Sequence, residues 1–383
     1  KYIERILDPR PILSKKSMFL FGPRQTGKSA LIRHLLSDYK VYNLLDRKIY
    51  QSLQANPSLI RQEIRPEDEI IIIDEIQKIP DLLNEVHLMI EEHDVKFLLT
   101  GSSARTLKRR GVNMLGGRAR SRHLHPFVRL ELKSDFELKK ALSIGLLPFV
   151  YFSDAPFEDL KSYVADYLKE EIAAEALARN IAAFSRFLEV AALCHGKMLN
   201  YSQVGSDAAV PVSTVREYFQ ILEDTLLGSM LPAFTGTKKR KAISTSKFYF
   251  FDNGCVNALT GRKKFPPRTP EFGDAFESYI YHELRSYCSY RQGGELAYWR
   301  STSMFEVDFI LDGRIAIEVK GKEQISKRDQ KGVRALKEEG LMERYIVVGM
   351  HERKRVEDGI EITPLQDFLE ELWNAGLYFF RYL

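Results

Sequence analysis

An apolar run, Met18-Phe-Leu-Phe21, is followed at once by Gly22-Pro-Arg-Gln-Thr-Gly27-Lys28-Ser29 and then by the helical pattern Ala30-Leu-Ile-Arg-His-Leu-Leu36. Strand, glycine-bordered turn and helix, in that order, is the setting in which backbone amides close around phosphates. The helix N-terminus adds a favourable dipole, Lys28 reaches toward β and γ oxygens, and Ser29 offers a hydroxyl to magnesium. The turn therefore predicts a site for ATP and Mg formed by Gly22, Pro23, Arg24, Gln25, Thr26, Gly27, Lys28, Ser29 and Ala30.

The surrounding chain supports that context. From Ser17 to Leu132 short apolar runs alternate with helical patterns, as in an α/β layer of buried parallel strands. One run, Ile70-Ile-Ile-Ile73, ends in Asp74 and Glu75, so Asp74 can hold magnesium through water and Glu75 can polarise an attacking water as general base. Another, Lys96-Phe-Leu-Leu, ends in Thr100-Gly101-Ser102-Ser103, hydroxyls suited to sensing a γ-phosphate or placing water.

Together GPRQTGKS, IIIIDEIQKIP and LLTGSSAR resemble the AAA-type ATPases of bacteria and archaea, specifically the prokaryotic family in which that core precedes a C-terminal domain of undetermined role. The resemblance implies that Ser102 or Ser103 is the γ-phosphate sensor. It also implies that Arg118, in Leu115-Gly-Gly117-Arg118, is an arginine finger supplied to a neighbouring subunit, and hence a homo-oligomer. Arg118 is equally well read as a member of a basic loop, and Arg24 is a weaker candidate for the same task.

The middle, Phe136 to Leu231, reads as helical, with Tyr163, Tyr167, Ile172 and Leu177 recurring among few Gly and Pro. Within it, Pro211-Val-Ser213-Thr-Val-Arg216 leads into a helix for which Ser213 is the expected N-cap and Val215, Phe219, Leu222 and Leu226 the core-facing positions. Helix, turn and capped helix, with LPAF and KFYFFD as wing strands around the Thr235–Lys247 loop and its KKRK cluster, predict a winged helix that binds duplex DNA or packs on protein. Glu217, Glu223 and Asp224 leave that helix with little positive charge. The family resemblance extends through this region, including the YLKEEI stretch before it.

The last third returns to α/β: KFYFFD, a helix around Asp274–Tyr287, then ELAYWR, EVDFIL, IAIEVK and YIVVG. A three-residue turn at Asp312-Gly-Arg314 pairs Phe309 with Ile317 and Leu311 with Ile315 on an apolar face, and sets Asp308 opposite Glu318 with Lys320 two residues along. Opposed acids and a lysine make a compact magnesium site. The pattern resembles the PD-(D/E)xK nuclease fold, which implies catalytic roles for Asp308, Glu318 and Lys320 and a further metal-binding acid, Glu277, from the preceding helix. The alternative is an edge hairpin with solvated charges. Tyr and Phe of YFSD and YFFD read as core.

The fold class expected is thus α/β multidomain: a parallel-sheet P-loop AAA core (1–132), a helical, winged-helix-like middle (133–233) and a restriction-endonuclease-like domain (234–383). Cys194, Cys255 and Cys288 form no CxxC pair, so neither a disulfide framework nor a thiolate zinc site is suggested, and a reducing cytoplasm is expected. The sequence opens on Lys1 with no apolar leader, leaving the native start open, and no run approaches the roughly 20 apolar residues of a membrane span. His87, His93, His123, His125 and His195 lack ligand spacing. Net charge is only +5, but seven Lys or Arg and no acid lie between Arg105 and Arg122, with a second basic run over Lys238–Arg268. Such runs suit phosphate-bearing partners. Three readings follow: an ATPase coupled to nucleic-acid processing, a nucleotide switch whose C-terminal domain binds a protein partner without cutting, and a nucleic-acid-binding ATPase without cleavage.

Overall fold

A computed structural model describes residues 1–103, 105, 107, 115–167 and 180–375. Ile172, Leu177 and, in the first basic run, Lys108–Arg110 lie outside these residues. The chain divides into two compact units, Lys1–Pro126 with Ile221–Leu227, and Phe127–Gln220 with Gly228–Leu383.

The first unit is built on five strands: β1 (Ser17–Phe21), β2 (Lys40–Asn43), β3 (Ile70–Asp74), β4 (Lys96–Gly101) and β5 (Ala119–His123). They lie in the order β2-β3-β4-β1-β5, and every neighbouring pair is parallel. All residues of β1 and β3 are buried, as their unbroken apolar runs require of strands covered on both faces. Phe19, Phe21, Ile71, Ile73, Val86 and Phe97 belong to one core on this sheet. Because β4 separates β1 from β3, with Phe21 opposite Gly101 and Ile73 opposite Leu99, the carboxyl ends of all three strands meet at one edge. Ligands of open α/β sheets bind at such an edge.

Next in sequence come a helix (Ile181–Leu193), β6 (Lys197–Met198), two helices (Tyr201–Ala208, Val212–Asp224), β7 (Gly228–Leu231) and β8 (Lys247–Phe250), all in the second unit except Ile221–Asp224. The strands form a sheet ordered β6-β8-β7, antiparallel throughout. The wholly helical expectation misses β6, which at two residues is too short to show a period. The strand expected at LPAF instead covers GSML. Ser213 lies inside its helix, which starts at Val212 after the φ-restricting Pro211. Val215, Phe219 and Leu222 are buried as expected, whereas Leu226 falls beyond the helix with φ +63°.

A long helix, Pro270–Arg291, capped by Thr269 Oγ1 accepting from Phe272 N at 3.3 Å, precedes β9 (Leu296–Arg300), β10 (Glu306–Leu311) and β11 (Ile315–Lys320). A helix (Lys331–Lys337), β12 (Arg344–Gly349), β13 (Arg355–Glu357) and β14 (Ile360–Pro364) complete a mixed sheet ordered β13-β14-β12-β11-β10-β9. The β10–β11 register is the expected one, Phe309 with Ile317 and Leu311 with Ile315, across Asp312–Arg314. This hairpin is not an edge: β12 and β9 flank it, and all of both strands but Glu306 and Lys320 is buried. Among the described residues no helix is long and apolar enough to cross a membrane.

Candidate functional sites

The turn after β1 takes its shape from its glycines. Gly27 sits at φ +100°, a left-handed conformation that favours glycine, directly before the Lys28–Leu35 helix. A Cβ on Gly22 would lie 2.5 Å from Leu124 O, so only glycine fits between β1 and the chain leaving β5. Thr26 is fully buried and donates to Pro23 O at 2.8 Å, and Lys28 Nζ folds over the turn to Gly22 O at 2.6 Å and Pro23 O at 3.1 Å. Arg5, which sequence reasoning missed, is buried and clamps the turn, donating to Thr26 O and His125 O, each at 2.6 Å. Twenty-one residues from its nearer partner, it carried no local signal.

The acids arrive from β3. Ser29 Oγ donates to Asp74 Oδ2 at 3.0 Å, and Thr100 Oγ1 donates to Asp74 Oδ1. A hydroxyl and a carboxylate so placed fit a hard cation that prefers oxygen. Glu75 is held at φ +65°, ψ +45°, a conformation that costs a non-glycine residue about 1 kcal/mol or more and recurs at functional sites. Its amide donates to Thr100 Oγ1 at 3.3 Å, and Gln77 Nε2 bridges Glu75 Oε2 at 2.5 Å to Ser102 Oγ at 3.2 Å. Burial pushes the Glu75 carboxyl above its usual range, opposed by Lys28. Sequence reasoning noted the hydroxyls on β4 but gave Thr100 no partner, and Gln77 no role. Of the two sensor candidates, Ser102 reaches Glu75 through Gln77, while Ser103 Oγ accepts from Arg105 N at 3.4 Å.

Arg118 is not part of this constellation. Ser17 pairs with Ala119 and Phe21 with His123, so Arg118 stands at the start of β5, five strand residues or about 16 Å from the turn. Half-exposed, it pairs there with Glu91.

A family profile described as an AAA domain matches residues 14–132, the segment that carries this site. The segment is an AAA domain. Two profiles, each described as a domain of unknown function, match residues 135–265 (DUF8612) and 272–368 (DUF4143) beyond the AAA domain. No curated protein matches the chain. Solved structures similar to it include the Aeropyrum pernix ORC1 protein in complex with DNA (14% identity, 68% of this chain and 93% of that one, TM-score 0.30). DnaA bound to AMPPCP and single-stranded DNA matches at 12% identity over 56% and 85% of the two chains, with a TM-score of 0.29. A STAND protein from Pyrococcus horikoshii matches at 14% over 74% and 45%, with a TM-score of 0.22. Scores this low carry no statement about fold or activity.

The second unit gathers Glu277, Asp308, Glu318 and Lys320, and adds a residue the sequence did not flag. Lys247, at the start of β8 and 4% exposed, donates to Glu306 Oε1 at 2.7 Å and Glu277 Oε1 at 3.3 Å. Tyr249, assigned to the core, is fully buried yet donates to the same Glu277 oxygen at 2.6 Å. Val319 N donates to Asp308 Oδ2 at 2.8 Å, Lys320 Nζ meets Glu318 Oε1 at 2.5 Å, and Arg300 meets Glu306 at 2.8 Å. Glu318 Oε2 is buried with no hydrogen-bond partner. Burial, reinforced by the Glu277 charge, pushes Asp308 up to about 6, and burial with Asp308 holds Glu318 well above its usual value. Among the described residues no group of three His, Cys, Asp or Glu is placed to hold a metal ion. Glu277, Asp308 and Glu318, the acids expected to hold magnesium, thus lie in one buried cluster with Lys320, and β8 adds Lys247, which pairs with Glu277 and Glu306.

The KKRK loop is tied down from within. Glu339 accepts from the amides of Lys238, Lys239 and Arg240, each at 2.9 Å, and Arg240 pairs with Glu338 at 2.5 Å. Phe234 N donates to Tyr298 O at 2.6 Å and Ile243 N to Arg300 O at 2.8 Å, so the loop lies along β9 and does not project as a basic wing. His195 accepts from Phe250 N at Nδ1, 3.0 Å, and meets Ser278 at Nε2, 2.6 Å; burial drops it to about 3, a structural role.

Proposed function

We propose that the chain is a magnesium-dependent ATPase whose AAA domain hydrolyses ATP and couples that step to nucleic acid held by the second unit. The observation that carries this reading is the chain of contacts Ser29–Asp74–Thr100–Glu75–Gln77–Ser102 across three strand ends. Amides at the start of the Lys28–Leu35 helix and Lys28 would hold the phosphates, and Ser29 with Asp74 would hold Mg, which supplies charge neutralisation at the β and γ oxygens when bound. Glu75 takes the proton of the attacking water, its raised basicity favouring that transfer near neutral pH. Ser102 senses the γ-phosphate through Gln77. Arg118, too far from its own turn, serves a neighbouring copy, which makes the active form a homo-oligomer. ATP turnover by purified protein tests the reading: it is expected to vanish in Lys28→Ala and Glu75→Gln, and unchanged turnover in either defeats it.

We read the order helix, β6, two helices, β7 and β8 as a winged helix, and the Pro270–Arg291 helix with β9 to β12 as restriction-endonuclease-like. Lysine neutralisation of the acids favours a domain that binds without cutting. Incubation of DNA and RNA with Mg or Mn should leave both intact, and cleavage abolished by Asp308→Ala would reverse this. A cytoplasmic setting fits the unpaired Cys194, Cys255 and Cys288.

A further inference from the structure

The second unit contains a cavity of about 820 Å³ at the carboxyl ends of β11 and β12, where Gly321 and Met350 follow those strands. That volume is within the range of small-ligand sites and exceeds the space of one nucleotide. Its floor is apolar: Leu142 is buried, and Phe157, Phe265 and Phe272 line the space without being buried themselves. Three aromatic rings left partly exposed around one concavity retain apolar surface for an occupant.

The rim is cationic. Arg268 faces Glu323 at 3.5 Å and Lys322 faces Asp329 at 2.5 Å, so these two are matched within the chain. Lys139, Lys263 and Lys264 also line the cavity and have no ion-pair partner among the described residues. Three lysines without an ion pair and three phenyl rings lining one cavity call for an occupant that is anionic along its length and flat and apolar at intervals. Unpaired nucleotides meet both demands, with phosphates toward the lysines and bases against the rings. A duplex does not, because its bases are stacked inside and offer no faces.

The rim also has the rigidity such a site requires. Pro266 and Pro267 restrict the Lys263–Arg268 segment, and Thr269 Oγ1 donates to Pro266 O at 2.8 Å, fixing the segment to the head of the Pro270–Arg291 helix. At Gly321 a Cβ would lie 2.9 Å from Phe272 Cδ1, so backbone and ring are packed together at the inner end. From there β11 leads directly back to Lys320 and Glu318. There Lys320 is paired with Glu318, and Lys247 with Glu277 and Glu306.

We propose that this cavity binds single-stranded nucleic acid, a site that deepens the nucleic-acid-coupled reading and rests on it. The expected salt response follows from the charge count: three lysines contacting phosphates give a slope of about −2 in log K against log salt for a single strand, falling by about 0.7 for each lysine removed.

The test is fluorescence anisotropy without nucleotide, using full-length protein and a labelled oligodeoxythymidylate of about 15 nucleotides, a blunt duplex of equal length and an acidic, phenylalanine-containing peptide. The single strand is expected to bind more tightly than either competitor. Phe265→Ala should weaken binding by about 5-fold or more, the loss of one stacked base. Lys263→Glu/Lys264→Glu, on an exposed segment whose folding does not depend on them, should weaken it further and flatten the salt slope. Equal affinity for duplex and single strand, preference for the peptide, or wild-type affinity in both variants would each overturn the proposal. An inactive ATP site in a protein that still binds the single strand through Phe265 refutes the ATPase reading alone. Normal ATP turnover with no effect of the cavity variants refutes this site alone.

Discussion

Replacing Lys247 by Met removes the cation between Glu277 and Glu306 while keeping the length of the side chain. Lys247 is 4% exposed, so water cannot readily take its place. Glu277 retains Tyr249 and Glu306 retains Arg300, but the four acids Glu277, Glu306, Asp308 and Glu318 are then faced by two bases, Lys320 and Arg300, in place of three. Breaking a buried pair by deleting one partner costs about 3–5 kcal/mol. For a folding unit of this size each kcal/mol moves Tm by about 2–4 °C, so a fall of roughly 6–20 °C is expected in the transition of the second unit. Adding Glu277→Gln should recover a large part of the loss, and the double-mutant cycle reads the coupling directly. Thermal and guanidine unfolding with and without Mn, in the absence of nucleotide, complete the test. Lys247→Met should gain stability from Mn and the parent protein should not. A loss below about 1 kcal/mol, or an equal Mn effect on both proteins, would refute lysine as the resident counter-ion.

Other consequences are open to similarly direct measurement. Gly22→Ala places a methyl against Leu124 O, and ATP affinity by titration should fall by about 10-fold or more as the turn shifts, an effect of about 1.4 kcal/mol. Arg5→Ala removes two charge-assisted hydrogen bonds worth about 1.5–3 kcal/mol each, and should raise KM for ATP while Arg5→Lys restores part of it. Glu283 is fully buried, accepting from Arg129 N and Trp373 Nε1, and burial pushes it up to about 7. A carboxyl raised by folding holds its proton more tightly in the native state, so its contribution is present below pH 4.5 and is lost as pH rises to about 7. The stability of Glu283→Gln relative to the parent should therefore increase across that window by about 3 kcal/mol, read from guanidine midpoints, with the opposite contribution of His195 cancelling in the difference.

Much of the first site was legible because its parts are contiguous. The turn at Gly22–Ser29 and the acids at Asp74 and Glu75 each follow an apolar run, and a run buried on both faces shows itself without any partner being known. The hairpin register at Phe309–Ile317 was legible for a related reason: alternation leaves only one pairing that does not mix charged and apolar faces. What escaped reading was carried by tertiary contact alone. Arg5 meets the turn from its own segment, Thr100 acquires meaning only because β4 lies between β1 and β3, and Lys247 looks like one more member of a basic run until β8 is laid against the acids. Tyr249 was assigned to the core because an aromatic strand is usually core, and burial does not reveal that its hydroxyl has an acid to meet.

Charge illustrates the same division more sharply. By sequence, KKRK is the densest basic cluster of the second unit and the natural place for phosphate contacts. In the fold, three of its amides are held by Glu339, its arginine is paired with Glu338, and its flanks hydrogen-bond along β9. Arg240, with acids already at hydrogen-bond distance, contributes less to an incoming phosphate because the existing pair must first be broken, whereas Lys238, Lys239 and Lys241 have no ion-pair partner among the described residues. Lys139 stands far in sequence from that run, beside only Lys140, and Lys263 and Lys264 are merely the tail of the run. They come together over an apolar cavity because the Lys263–Arg268 segment and the Leu138–Ser143 helix line the same space. The capacity of this unit for a single strand is therefore set by which unmatched cations folding places beside partly exposed rings, and that favours the cavity over the loop.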